Sequence, residues 1–194
     1  MSYKVGITGG IGSGKTSVCL IFETLGVPVY YADAQAKKLM NNDPEMKFAI
    51  ADYFGKDIFH EGEINRRKLA EIIFNNKTAL QIINSLVHPA VVRDFERWHA
   101  QQTSYYTLHE AAIIFESAIE HCFDKIILVT APDDTRIERV CARDNIKPED
   151  VRERMKNQLP EKKKIELADY IIYNDNQNSI IPQVLKIHKQ ITET

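Results

Sequence analysis

The sequence has 194 residues, 44% hydrophobic and 27% charged, a balance that excludes a disordered chain and suits one domain or one core with a large insertion. Its 25 basic and 27 acidic residues leave a formal charge of −2, which lacks the footprint of a dedicated nucleic-acid binder. The three cysteines, Cys19, Cys122 and Cys141, are scattered without a C-x-x-C pair, so their spacing excludes a disulfide framework or zinc cluster and points to a reducing compartment.

The opening stretch is too short for a signal-peptide core, and no run approaches the length of a membrane span. A soluble, cytoplasmic protein is expected, with no membrane or nucleic-acid partner; the pattern specifies no oligomeric state. Residues 4–8 read as a buried strand. Directly after it, Gly9-Gly10-Ile11-Gly12-Ser13-Gly14-Lys15-Thr16 fits the phosphate-loop pattern G-x-x-x-x-G-K-[ST] at every fixed position. Glycines let such a loop wrap close to phosphate oxygens, and the helix that follows adds its positive end. Gly12, Ser13, Gly14, Lys15, Thr16 and Ser17 are therefore expected to hold a nucleotide. Lys15 would reach the β- and γ-phosphates of the nucleotide, and the Thr16 hydroxyl would enter the Mg²⁺ shell.

A helix over 16–25 stops at Gly26 with Pro28 beyond, and a second strand follows over 27–32. Asp33 ends that strand, at the carboxyl edge where open parallel sheets bind ligands. Its carboxylate suits the orientation and deprotonation of a hydroxyl nucleophile, and equally suits an N-cap for the next helix. More than 70 residues then precede the third strand. They hold helical patterns over 34–40, 45–54, 67–75 and 79–100, the last expected to break near His88-Pro89.

Further strands are predicted within 105–114 and over 125–131 and 170–173. Residues 136–166 carry ten Lys or Arg in amphipathic helical spacing, which reads either as a solvated helix pair or as a basic lid over phosphates. The fold class expected is α/β: a P-loop NTPase-like parallel sheet with flanking helices, a helical substrate-binding insertion and a helical lid. The core would span about 1–33, 104–135 and 167–194, the insertion about 34–103 and the lid about 136–166. Asp52-Tyr53-Phe54-Gly55 and Asn76-Lys77-Thr78-Ala79 do not complete a GTPase set. A kinase of a small acceptor remains, with a different P-loop kinase or a nucleotide-switched binding module as alternatives.

Residues along nearly the whole chain narrow the choice. They include the opening from Val5 to Thr16, Ala32-Asp33, Leu86-Val87-His88-Pro89 and Ile113-Ile114-Phe115-Glu116. Arg139, Arg143-Asp144, Gln158, Lys162, Ala168-Asp169 and Asn174 follow in order. This set resembles the dephospho-coenzyme A kinase family, which uses ATP to phosphorylate the 3′-hydroxyl of dephospho-CoA. The resemblance implies ATP and dephospho-CoA as small-molecule partners and Mg²⁺ as cofactor. It makes Lys15, Asp33, Arg139 and Arg143 catalytic and adds Asn174 to the nucleotide site. Lys37 and His88 would join Asp33 at the acceptor, and Glu116 would reach Mg²⁺ through water. The chain departs from the family's pattern at Ala112, at Lys37 and beside Asn174, where Asn176 and Gln177 replace a glycine-containing segment.

Overall fold

The computed structural model describes residues 2–193 and, at Asn75, the backbone alone. The chain divides into two compact units, one running to Tyr30 and resuming at Gln101, the other spanning Tyr31–Ala100.

The first unit is built on strands β1 (Tyr3–Thr8), β2 (Val29–Tyr31), β5 (Tyr106–Glu110), β6 (Lys125–Thr130) and β7 (Tyr170–Tyr173). They form one sheet in the order β2-β5-β1-β6-β7. β1 pairs in parallel with both central neighbours, Val5 opposite Leu108 on one side and Ile7 opposite Ile127 on the other. β7 continues the parallel ladder, with Leu128 opposite Ile171. The central strands read as continuous apolar runs because helices cover both faces, and Val5, Ile7, Leu108, Ile127, Leu128 and Val129 are all fully buried. Helix α1 (Lys15–Thr24) buries Val18, Cys19 and Phe22 and stops at Gly26, whose φ of +79° lets the last turn close on Phe22 and Glu23 carbonyls. Helices α6 (Asp133–Asp144), α7 (Pro148–Lys156), α8 (Glu161–Leu167) and α9 (Ile180–Thr192) complete the unit.

Strand β5 is shorter than its apolar run predicts. The expectation within 105–114 allowed pairing up to Ile114, but beyond Glu110 the chain turns back on itself through Ser117, Ala118 and Ile119. Ile114 is buried in that turn against Gly6, where a Cβ would come within 2.9 Å of the Ile114 Cδ1. Its apolarity serves turn packing rather than pairing.

The second unit contains α2 (Ala32–Asn42), α3 (Pro44–Phe54), α4 (Arg66–Asn75) and α5 (Lys77–His99), with a small hairpin of β3 (Phe59–His60) and β4 (Glu63–Ile64). Asp43, Asn65 and Asn76 cap α3, α4 and α5 by accepting amides from the first turns. Met46, Ile50, Ile58, Ile64, Leu69, Ile83 and Ala90 form its core. The expected break at His88-Pro89 does not occur: α5 runs through Pro89 without interruption. Buried residues lie on both sides of the proline, Ile83 before it and Ala90, Val91 and Phe95 after it, and their packing outweighs one missing backbone bond.

Candidate active site

Loop and helix geometry make the centre of the site. Between the end of β1 and the start of α1, Gly12 and Gly14 adopt φ of +78° and +90°, values that only glycine takes without strain. There is no room for side chains either. A Cβ on Gly10 would meet the Arg136 guanidinium, one on Gly12 the Arg136 carbonyl oxygen, and one on Gly14 the Asn174 amide. The loop's amides at the start of α1 have no intrahelical partner, as at any helix start, and they sit at the positive end of its dipole.

Lys15 Nζ donates to the Gly9 carbonyl oxygen at 3.0 Å and lies 3.8 Å from Glu110 Oε1. Both side chains are about nine-tenths buried, so the pair works in a site of reduced dielectric. Thr16 and Ser17 are exposed on the first turn of α1, while Ser13 is buried. Asn174, just past β7, braces the loop from the far side: its Nδ2 donates to the Ser13 carbonyl at 2.9 Å. Arg139 on α6 joins the same brace, donating to the Asn174 carbonyl oxygen at 3.1 Å and to Asn176 Oδ1 at 2.6 Å. Asn176 stands at φ +63°, a left-handed position that asparagine tolerates in place of glycine. Lys15, Arg139, Asn174 and the loop therefore gather in one cluster.

Other expected site residues lie elsewhere in the chain. Arg143 is exposed at the end of α6, its Nε and Nη2 donating to the two oxygens of Asp144 at 2.7 and 3.0 Å. Asp33, Lys37 and His88 belong to the second unit. Asp33 is not the N-cap of α2; Tyr31 occupies that position, and the exposed Asp33 carboxylate stands in the helix's first turn. Lys37 is exposed further along α2. His88 is half-buried within α5, and burial holds its pKa below the usual histidine value, which keeps the ring neutral at pH 7.

Glu116 has another occupation than the expected water-mediated metal contact. It lies six residues past the end of β5, with Oε1 2.8 Å from Lys164 Nζ and accepting the Leu159 amide at 2.9 Å. The carboxylate that does end this strand is Glu110, beside Lys15. Sequence reading passed over it because the strand was extended too far; the polar residue closing Tyr106-Thr107-Leu108-His109-Glu110 was the available signal. In the sequence Arg136 is one of ten basic residues that read either as a solvated helix pair or as a lid, yet it is 4% exposed and set against the phosphate loop. Nothing local distinguishes it from its basic neighbours.

The donor set also bears on Mg²⁺. Among the described residues no cluster of three or more His, Cys, Asp or Glu side chains is arranged to hold a metal. One hydroxyl at the start of α1 fits an ion that keeps most of its ligands as water and nucleotide phosphate oxygens.

Comparison with known proteins bears on the acceptor. A sequence profile of the dephospho-CoA kinase family matches residues 3–179. The dephospho-CoA kinase of Bacteroides fragilis is 36% identical over 188 residues, covering 96% of this chain and 92% of that protein. The solved dephospho-CoA kinase of Campylobacter jejuni superposes with a TM-score of 0.71 at 27% identity, over all of this chain and 98% of its own. Shikimate kinase from Acinetobacter baumannii shares the fold alone, at a TM-score of 0.57 and 14% identity. No helix of the described residues is long and apolar enough to cross a membrane.

Proposed function

The chain belongs to the dephospho-CoA kinase family and phosphorylates dephospho-CoA in coenzyme A biosynthesis, and we propose that the residues described above divide that reaction among them. The observation that carries this division is the phosphate loop with Lys15 held at its mouth by Gly9 and Glu110. The loop amides and Lys15 bind and orient the triphosphate of ATP. The hydroxyl of Thr16 would hold Mg²⁺, and Glu110, rather than Glu116, is the carboxylate suited to reach it through water. When bound with the nucleotide, that ion neutralises charge on the β- and γ-phosphates.

Asp33 accepts the proton of the acceptor's 3′-hydroxyl as its oxygen bonds to the γ-phosphorus. The bond from that phosphorus to the β,γ-bridging oxygen breaks, and ADP leaves. An exposed carboxylate in the first turn of a helix, free of a capping bond, is available for this task. Arg139 and Asn174 brace the loop next to the nucleotide, and Asn174 is the candidate for contact with the base. Arg143 supplies charge to the migrating phosphoryl group once it leaves Asp144. Lys37 and His88 contact the acceptor, with His88 as a neutral hydrogen-bonding group. The acceptor-binding role falls to residues 34–103 and the covering role to 136–166. We place the reaction in the cytoplasm, a reducing compartment that suits three scattered cysteines with no C-x-x-C pair.

The test is product analysis with purified protein. MgATP and dephospho-CoA should give CoA with one ADP formed per product, while AMP and shikimate turn over far more slowly. Equal turnover of AMP and dephospho-CoA would sink the assignment, and EDTA should abolish the reaction.

A further inference from the structure

Ile11, the third residue of the phosphate loop, is held by three separate contacts from outside the loop. Arg136 Nε donates to the Ile11 carbonyl oxygen at 2.9 Å, and Gln158 Oε1 accepts the Ile11 amide at 3.0 Å. Its side chain packs with Ile137, Val140 and Val151. The two polar arms come from different elements, the first turn of α6 and the connection between α7 and α8.

Each arm is itself braced. Arg136 Nη1 lies 3.2 Å from Asp133 Oδ1 and 3.5 Å from Glu161 Oε2, so the buried guanidinium is paired to α8 as well as to its own helix. Next to Gln158, the Leu159 amide is fixed on Glu116, whose same oxygen faces the fully buried Lys164 ammonium. A lone packing contact would not need this arrangement. The segment from Gly9 to Gly14 contains four glycines in six residues, and glycine loses more backbone freedom on ordering than any other residue. A loop ordered in advance binds its ligand without meeting that entropic cost at the moment of binding.

We propose that Gln158 and Arg136 are positioning residues that clamp the Ile11 peptide, ordering the phosphate loop for the triphosphate and coupling ATP affinity to the connection between α7 and α8. The proposal rests on the assignment of this loop to ATP. It assigns neither side chain a contact with the reacting atoms.

Gln158→Ala is the cleaner test, because Gln158 borders a cavity of about 490 Å³. Truncation there widens an open space rather than sealing a void, so the melting temperature should move little. The Kd for MgATP should rise roughly two- to tenfold, the span of one lost neutral hydrogen bond. KM for dephospho-CoA should stay within about twofold, a split that simple loosening of the fold would not give. Amide exchange at Ile11 should accelerate while exchange in α9 does not. Arg136→Lys, which keeps the buried charge but loses the Nε donor, should shift Kd in the same direction. An unchanged Kd for MgATP, or an unchanged exchange rate at Ile11, overturns the clamp. So does a fall in melting temperature with both substrates weakened together. Wild-type protein that bound no MgATP would remove the functional assignment itself; wild-type binding with both variants unaffected would remove only the clamp.

Discussion

Asp33 shows what a single position can settle. At the first turn of α2 its charge interacts favourably with the helix dipole, an effect worth about 0.3–1 kcal/mol at an exposed site, and it makes no capping bond that would be lost on substitution. Asp33→Asn should therefore leave the melting temperature within a few degrees of the parent. It should lower kcat by roughly 10²–10⁴-fold, the usual span for a missing general base. Steady-state kinetics and thermal unfolding on the same preparation decide between base and structural acid; retained turnover with a clear loss of stability would assign Asp33 to the helix alone. Cys19 makes the opposite case. It lies in α1 close enough to feel the charges of Lys15 and Glu110, but burial pushes its thiol up out of the reactive range, so it acts as a small core side chain.

At the scale of elements, two features invite substitution. Glu116 joins the turn after β5 to α8 through Lys164, an ammonium with no exposure to water. Glu116→Ala strands that charge and should cost about 3–5 kcal/mol, whereas Glu116→Leu combined with Lys164→Met should recover much of the loss. Chemical denaturation of the parent and the two variants measures both, and a double variant no better than the single would mean the pair is not the source of the cost. The second feature is Pro89 inside α5. Restoring the missing backbone bond with Pro89→Ala gains part of the roughly 3 kcal/mol that proline costs in a helix interior. Greater freedom of the unfolded chain offsets about 0.4–1 kcal/mol of the gain. The expected outcome is a higher melting temperature, and a fall would show that the proline's fixed φ is favoured by α5 at that point.

Over the whole molecule, stability should depend on pH through one buried histidine of the sheet. His109 on β5 stacks on Tyr30 with ring centroids 5.3 Å apart and also faces Phe123. Burial pushes its pKa down to about 4 from an ordinary value near 6.5. Between those two pH values the unfolded chain binds a proton that the folded chain refuses, so this contribution is complete above about pH 6.5 and is lost as pH falls toward 4. The full span corresponds to roughly 3 kcal/mol. Thermal unfolding from pH 7.5 to 4 should show the decline, and His109→Gln should make it shallower. Equal slopes in the two proteins would remove His109 as the cause.

The phosphate loop, the alternation of strands and helices, the run 170–173 and the helices of the second unit were legible in the sequence because each is dictated locally. Glycine spacing, apolar periodicity and capping residues act over a few positions, and the chain has no alternative use for them. The same local reading misplaced whatever depends on distant partners. Ile113-Ile114-Phe115 is apolar whether it pairs as a strand or packs in a turn, and only the space against Gly6 decided for the turn. Pro89 forbids one hydrogen bond, but core residues on either side of it determined that α5 continues. Arg136 and Lys164 have the same chemistry as the solvated lysines and arginines around them. Burial depends on what the rest of the chain brings alongside, so only the tertiary structure set Arg136 against Ile11, Lys164 on Glu116, and Glu110 rather than Glu116 beside Lys15.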